Sequence, residues 1–242
     1  MSTDIDYNEV VGQWDEVHHY SPAPRHRRRL IFDLIKKLSF NSCLDVGCAQ
    51  PYLLEALSKG DKQLFGCDIS EKVMIDNRTK FSKATFEVVD ISKDTFPGNK
   101  TFDLVVSSEV LEHIDDWRSA VKNLSLMTKK YLLITVPGGK YRTMDRIIGH
   151  FRHFKVNELS QEVEKNGLKV TLTRRWGFPF HTFYQFAINA VAPEKMYESF
   201  GCGKLTFSKR VIYSILYALF FINDLFPTGN QIILLAEKTN NS

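Results

Sequence analysis

The sequence predicts an α/β fold: a doubly wound, mostly parallel sheet of seven strands, with an aromatic-rich helical insertion before the last strand. Three observations predict it. Short apolar segments alternate with amphipathic segments from residue 42 onward, which is typical of a parallel sheet covered on both faces. The 242 residues are 43% hydrophobic, which is enough for a sizeable core. Acidic residues follow successive predicted strands, at the edge where such sheets bind ligands.

In chain order, the sequence divides into four parts within one predicted structural domain. Residues 1–41 form an N-terminal arm and helix, 42–175 the sheet-bearing core, 176–230 a lid or substrate insertion, and 231–242 the final strand and tail. The insertion is longer than an ordinary connection, which favours a lid with helices of its own.

The individual elements follow from apolar spacing and from helix-ending or turn residues. Apolar residues at helical spacing up to Leu38 predict a helix after the break at Ser21 to Pro24. Gly60 and Gly167 are typical stop signals for two later helices. The predicted strands span residues 43–46, 64–67, 85–89, 102–106, 131–136, 168–173 and 232–236, and the predicted helices between them span 52–58, 71–77, 117–124 and 157–166.

Composition excludes several classes of protein. Apolar content and a charged fraction of 25% exclude global disorder, and four cysteines are too few for a disulfide scaffold. No pair among Cys43, Cys48, Cys67 and Cys202 has metal-clip spacing, which favours a reducing, cytoplasmic setting. Residues 1–20 lack the pattern of a secretory leader. The net charge of +4 permits an anionic partner without requiring nucleic acid.

One apolar block, residues 211–222, follows Lys209 and Arg210. It is shorter than the roughly 20 residues that a membrane-spanning helix needs. Because it is apolar on every face, the pattern favours a buried core or lid helix. A surface that meets lipid or a greasy substrate, and with it peripheral membrane contact, is the alternative.

Three aspartates stand at the ends of successive predicted strands. Asp45 ends the first strand beside Gly47, Asp68 ends the second 23 positions after Asp45, and Asp90 follows the third. A lone aspartate there is typically a turn or cap residue, but three in register favour a binding site. A carboxylate at the second strand end can accept both hydroxyls of a ribose. Asp90 can accept from an adenine amino group.

The first turn also distinguishes between two nucleotide chemistries. A dinucleotide-binding turn has three glycines and no acid, whereas here one glycine follows an aspartate. A negative charge at this turn suits an ammonium or a sulfonium and repels a pyrophosphate. The residues therefore favour an adenosine ligand with a cationic tail.

Four segments together resemble the S-adenosylmethionine-dependent methyltransferases with the Rossmann-like fold. They are LDVGCA (residues 44–49), the acids Asp68 and Asp90, FDLVVSSEVLEHI (102–114) and the strand at 132–137. The nearest branch is similar to the small-molecule O-methyltransferases of ubiquinone biosynthesis, and the likeness covers residues 40–175.

The resemblance implies that S-adenosylmethionine binds this core. Asp45 and Gly47 would line its methionine end, Asp68 would hold the ribose, and Ser108 would pack against its centre. The full implied set is Asp45, Gly47, Cys48, Ala49, Asp68, Ile69, Asp90, Ile91 and Ser108. Family members often have glycine where this chain has Ala49 and Pro51. We expect weakened but retained binding, provided that the φ angle of Ala49 stays negative.

A hydroxyl acceptor requires a base, and histidine is the usual one near neutral pH. The segment after the fifth predicted strand resembles the substrate-side stretch of the family. This favours His150, then His153, as the catalytic base, although both could simply bond the backbone of an ordered loop. His113, and His18 with His19 in the arm, are weaker candidates. We expect no metal site, because no metal cluster is evident in the sequence.

Two further groups could serve the acceptor or the cofactor. Arginines at 25 and 27–29 are typical of a solvated helix face, but one of them could clamp the cofactor carboxylate. Aromatic residues of the insertion could wall an apolar pocket or simply pack the lid: Trp176, Phe178, Phe180, Phe183, Tyr184 and Phe186. We predict a small-molecule methyltransferase acting at oxygen on an apolar or lipid-linked acceptor. The alternatives are an RNA or protein methyltransferase and a non-catalytic cofactor-binding regulatory protein.

Overall fold

The structure, a computed structural model, describes residues 19–190 and 205–239. Parts of three sequence-based predictions lie outside the described residues. These are residues 1–18 of the arm, with His18; residues 191–204 of the insertion; and the last residues of the tail, 240–242.

Seven strands form one mostly parallel sheet in the order β3-β2-β1-β4-β5-β7-β6, which confirms the predicted fold class. Parallel pairing joins β1 to β2 and β4, β2 to β3, and β4 to β5. The strands are β1 (Ser42–Val46), β2 (Gln63–Asp68), β3 (Ala84–Val88), β4 (Phe102–Ser108), β5 (Thr128–Pro137), β6 (Leu168–Trp176) and β7 (Gln231–Lys238).

Helices alternate with the strands as the hydrophobic pattern predicts. They are α1 (Pro22–Ile35), α2 (Tyr52–Leu57), α3 (Glu71–Lys80), α4 (Trp117–Met127), α5 (Thr143–Ile147), α6 (Val156–Lys165), α7 (Phe180–Ala190) and α8 (Phe207–Phe220). Short 3-10 turns occupy Pro97–Asn99, Leu111–His113 and Phe221–Leu225.

The chain folds as two compact units. The core unit comprises Phe40–Gly138, His150–Arg174 and Ile232–Ser242. The helical unit comprises Met1–Ser39, Gly139–Gly149 and Arg175–Gln231.

In the core unit, the central strands are mostly apolar and largely buried because both faces of the sheet are covered. Every residue of β5 from Leu132 to Pro137 is buried, and so are Phe102 to Ser107 of β4. The α4 helix begins after Asp116, whose carboxylate accepts from the Ser119 N–H at 3.2 Å. Its first residue, Trp117, is 1% exposed and meets the Phe154 ring edge-on. This packing fixes α4 and the segment at Phe154 on the same core.

In the helical unit, the expectation that the block at 211–222 is buried is wrong. Of the residues of α8, only Tyr213 and Phe220 are buried, while Val211 and Ile215 are exposed. An all-round apolar helix does not reveal how much of its surface the neighbouring elements cover. Within the described part of the chain, no helix combines the length and hydropathy required to span a bilayer.

Candidate active site

The candidate site lies in the core unit, where the strand order reverses. Chain order runs from β1 outward to β2 and β3, then returns to β4 on the other side of β1. Val46 pairs with Ser107, so the carboxyl ends of β1 and β4 lie side by side. Ligands of open parallel sheets bind at this reversal.

The turn after β1 is tied to the end of β2. The Gly47 and Cys48 N–H groups both donate to the Cys67 carbonyl, at 2.8 and 3.1 Å. Gly47 has a φ of +67°, and a Cβ there would lie 2.3 Å from Val110 Cγ2. Glycine is therefore required here by both backbone conformation and space.

Ala49 departs from the expected backbone conformation. Its φ is +37° rather than negative, so the turn adopts the glycine-like conformation without a glycine. Two side chains hold it there. The Ala49 N–H donates to Asp68 Oδ2 at 3.1 Å, and Asn77 Nδ2 donates to the Ala49 carbonyl at 2.7 Å. Pro51 is the residue just before the first helical residue of α2.

Asp68, the last residue of β2, is positioned by backbone donors on both sides. Its Oδ1 accepts from the Ser70 N–H at 3.0 Å, and its Oδ2 accepts from Ala49. Burial raises the pKa of Asp68, while the N–H groups of Ser70 and Ala49 oppose that shift. Because an ionised carboxylate has about four acceptor sites, Asp68 keeps acceptor capacity for a ribose hydroxyl.

Asp45 is a buried carboxyl beside the same turn. Burial, and secondarily the charge of Asp68, raise the pKa of Asp45 to about 7. An unpaired carboxylate is costly to ionise in such a place, and a nearby cation would reverse that cost. The turn is thus electrostatically suited to a ligand that carries positive charge.

Asp90 has local partners. Its Oδ1 accepts from Ser92 N and Oγ at 3.1 and 2.6 Å, and its Oδ2 lies 2.7 Å from Lys93 Nζ. Burial favours the neutral form, but the hydrogen bonds from Lys93 and Ser92 outweigh it and lower the pKa of Asp90. These are the bonds of a turn-forming aspartate. Next to these acids, Ile91 is buried, whereas Ile69 is 53% exposed.

Ser108 ends β4 within a short polar network. The Thr135 hydroxyl donates to Glu109 Oε1 at 3.2 Å, so Ser108 Oγ, 2.9 Å from Thr135 Oγ1, donates to Thr135. Glu109 has a φ of +59°. Sequence reasoning missed Thr135 and Asn77, although each is a polar residue at a position whose pattern predicts burial.

The loop after β4 holds the histidine segment. The Phe151 N–H donates to the Glu112 carbonyl at 2.7 Å, and Arg152 Nη2 donates to the Asp115 carbonyl at 2.8 Å. The His150 and His113 rings meet edge-on, with centroids 4.7 Å apart. His150 is therefore fixed on the loop that follows the strand at the reversal point.

His153 and Glu112 complete this cluster. The His153 ring lies 5.8 Å from that of His150. Glu112, His113 and His150 each offer one possible ligand atom, and these three atoms lie within 4.8 Å of one another. Sequence reasoning did not identify this cluster, whose groups could together hold a metal ion. The expectation of no metal site therefore stays a prediction, which the chelation experiment below tests.

The other predicted groups lie in the helical unit. Arg25 stacks on Tyr217, and Arg29 binds Asp224. The aromatic residues of the insertion do not share one environment, since Trp176 is fully buried whereas Phe183 is 64% exposed.

The sequence model of a family described as "Methyltransferase domain" matches residues 24–173. The chain belongs to this family. It is an enzyme of the S-adenosylmethionine-dependent methyltransferase class, as the resemblance implied.

Two curated relatives of the methyltransferase are ubiquinone biosynthesis O-methyltransferases. The protein from Methylococcus capsulatus is 27% identical over 209 residues, covering 75% of this chain and 86% of the relative. The protein from Bordetella avium is 24% identical over 180 residues, covering 64% and 75%.

Solved structures share the fold of the methyltransferase. Phosphoethanolamine N-methyltransferase 2 from Haemonchus contortus has a TM-score of 0.63 at 16% identity, with 99% of this chain and 59% of that chain covered. Magnesium protoporphyrin IX methyltransferase from Synechocystis has a TM-score of 0.56 at 14% identity, with 92% and 84% covered.

The side chains present fit the cofactor. Asp45 supplies a buried carboxyl whose ionisation a sulfonium or ammonium would favour. Asp68 retains acceptor sites for a ribose, and the turn at Gly47 presents backbone without a side chain. This donor set suits a cation joined to a nucleoside.

Proposed function

We propose that the enzyme transfers a methyl group to a hydroxyl oxygen of a small-molecule acceptor, with His150 as the general base. The observation that carries this proposal is the placement of His150 on the loop after β4, through the 2.7 Å hydrogen bond from Phe151 to Glu112. A base must be positioned by geometry before its pKa matters. His153, 5.8 Å away, is the second candidate.

When bound, S-adenosylmethionine would supply a methyl group on a positively charged sulfur, which would keep the C–S electron pair as the leaving group. The residues of the chain must then align the acceptor and remove its proton. An imidazole nitrogen of His150 takes the hydroxyl proton as the oxygen forms its bond to the methyl carbon. His113, edge-on to His150, restricts the orientation of that ring.

The acceptor class is inferred from two supports. The curated relatives are named for ubiquinone biosynthesis, and the helical unit is rich in aromatic residues. Both favour an apolar, lipid-linked or quinone-like acceptor. The predicted cofactor contacts of Asp45, Asp68 and Ser108 belong to this proposal.

Single-turnover and steady-state assays with labelled donor test the base. The probes are catechols and hydroquinones with and without a prenyl tail, and mass spectrometry identifies O-methylated product. We expect His150→Ala to lower kcat by about 10²–10⁴-fold with unchanged donor affinity. His153→Ala tests the second candidate in parallel, and it should retain most of the activity if His150 is the base.

Three outcomes would contradict the proposal. Unchanged turnover in the His150→Ala variant would show that His150 is not the general base. A loss of turnover on chelation that added divalent metal restores would replace metal-free base catalysis with a metal role for Glu112, His113 and His150. Methylation of RNA in preference to all small probes, with affinity that falls steeply with salt, would favour the nucleic-acid alternative.

A further inference from the structure

A threonine hydroxyl is buried among apolar residues near the carboxyl end of β5. Thr135 is 0% exposed, and its neighbours along the strand, Ile134 and Val136, are equally buried. Parallel pairing places Thr135 beside Ser108, the last residue of β4, where the strand order reverses. A buried hydroxyl costs free energy unless it is hydrogen-bonded, so the partners of Thr135 indicate its role.

Thr135 binds Glu109 through two different groups. The Glu109 N–H donates to the Thr135 carbonyl at 2.9 Å, and the Thr135 hydroxyl donates to Glu109 Oε1 at 3.2 Å. The same hydroxyl accepts from Ser108 Oγ at 2.9 Å. The main chain and the side chain of Glu109 are thus both bound to one residue of the neighbouring strand.

The backbone conformation of Glu109 requires such support. Its φ of +59° lies in the left-handed region, where the Cβ of a residue other than glycine is crowded against a carbonyl oxygen. Residues in sparsely populated conformations persist where the surrounding contacts fix them, and they cluster at functional sites. The two bonds to Thr135 are contacts of this kind.

The loop that begins at Glu109 reaches two other parts of the core unit. The next residue, Val110, fills the space beside Gly47, since an added Cβ there would lie 2.3 Å from Val110 Cγ2. Farther along the same loop, the Glu112 carbonyl accepts from the Phe151 N–H at 2.7 Å. The loop therefore contacts the turn after β1 at one end and the histidine segment at the other.

We propose that Thr135 is a positioning residue for methyl transfer, because it holds Glu109 and, through Glu109, the loop that joins the turn after β1 to the histidine segment. In-line transfer requires an aligned donor and acceptor, and a misplacement of about 1 Å can cost about 100-fold in rate. Thr135 is buried, so its effect passes through Ser108 and Glu109. The inference requires only the methyltransferase activity of the chain and not the identity of the base or the acceptor.

Two substitutions of Thr135 separate positioning from packing. Thr135→Val keeps the branched shape and removes the hydroxyl, whereas Thr135→Ser keeps the hydroxyl and removes a methyl group. With labelled donor and the catechol and hydroquinone probes, kcat should fall about 10–100-fold in Thr135→Val while the donor KM changes less than about threefold. Thr135→Ser should restore most of the rate. A packing role would give the reverse order of activity, because serine leaves a cavity.

Thr128→Val is the matched control. Thr128 is 2% exposed at the opposite end of β5, and its hydroxyl donates to the Leu124 carbonyl at 2.7 Å. This variant should keep the parental kcat. A double-mutant cycle tests the path through Glu109, since Thr135→Val should change kcat little once Glu109→Ala is present.

Hydrogen exchange with mass spectrometry gives a readout that needs neither acceptor nor turnover. With S-adenosylhomocysteine bound, backbone exchange at residues 108–112 should be about tenfold faster in Thr135→Val than in the parent, and Thr135→Ser should restore protection. If the parent methylates none of the probes, the proposed hydroxyl acceptor fails, and the exchange result alone decides the present inference.

Several results would overturn the proposal. Parental kcat in Thr135→Val would show that the hydroxyl has no role in catalysis, and equal losses in the valine and serine variants would assign Thr135 to packing. Additive losses in the cycle would place the effect outside Glu109. Unchanged exchange at 108–112 would show that the loop does not depend on the hydroxyl. Thr135→Ala, which also removes the hydroxyl, takes the place of Thr135→Val if urea denaturation shows that the latter does not fold.

Discussion

At the residue scale, the most informative group is the Asp45 carboxyl. Its pKa of about 7 reflects burial first and the neighbouring Asp68 second. Without a cation the carboxyl is therefore protonated in much of the population near neutral pH. A ligand with positive charge at the β1 turn would drive it to ionise.

We therefore predict that donor binding is linked to proton release. Affinity should rise about 20-fold from pH 5.5 to 7.5 and then level, because binding requires the ionised form of Asp45. Near pH 6, calorimetry in buffers of different ionisation enthalpy should detect release of close to one proton. Asp45→Asn should bind more weakly and flatten the pH profile. A parent profile as flat as that of the variant would contradict this role of Asp45.

Ala49 shows where sequence reasoning at this scale stops. The family resemblance singled out the missing glycine correctly, but the expected negative φ is wrong. The reason is tertiary: bonds from Asp68 and Asn77, 19 and 28 positions away, hold the alanine in the strained conformation. Such distant partners leave no local signal.

At the scale of elements, the strands and helices were predictable and their exposed sides were not. Alternating apolar and amphipathic segments predict the sheet because burial on both faces demands apolar strands. The exposed side of α8 escaped prediction because apolar residues surround the helix. The placement of His150 escaped as well, since it depends on a hydrogen bond between Phe151 and Glu112, 39 positions apart.

Asn77 links α3 to the turn of the site, and we predict that it serves both stability and binding. It is 2% exposed, and its Nδ2 donates to the Ala49 carbonyl at 2.7 Å. Asn77→Ala should lower the free energy of unfolding by about 1–3 kcal/mol and weaken donor affinity, because the turn loses its support. Urea denaturation and calorimetry measure the two effects.

The matched control for Asn77 is Ser125→Ala. Ser125 is 1% exposed, and its hydroxyl donates to the Val121 carbonyl inside α4. This variant should lose stability and keep donor affinity. Equal donor affinity in the Asn77 and Ser125 variants would show that Asn77 stabilises the core unit without shaping the turn.

At the scale of the whole molecule, the two units contain buried groups with opposite responses to pH. In the helical unit, His181 donates from Nδ1 to Asn230 Oδ1 at 2.8 Å, and burial lowers its pKa to about 4. In the core unit, burial raises the pKa of Asp45 to about 7. Each group prefers its neutral form in the folded state.

Acidification should therefore destabilise one unit and stabilise the other. Below pH 6.5 the unfolded chain protonates His181, whereas the folded chain keeps it neutral down to about pH 4. The free energy of unfolding of the helical unit should therefore fall by about 2 kcal/mol by pH 5. Below pH 7 the folded chain binds a proton at Asp45 that the unfolded chain does not bind. The free energy of unfolding of the ligand-free core unit should therefore rise by about 2 kcal/mol by pH 5.

Hydrogen exchange with mass spectrometry measures both responses in one experiment, once intrinsic exchange rates are corrected for pH. Between pH 7.5 and 5, protection should fall in α7 and rise in β1 and β2. His181→Gln should remove the fall and Asp45→Asn the rise, each without affecting the other unit. Saturating donor should abolish the rise in the core unit, because the bound cation keeps Asp45 ionised. Parallel changes in both units would show that neither buried group governs the response to acid.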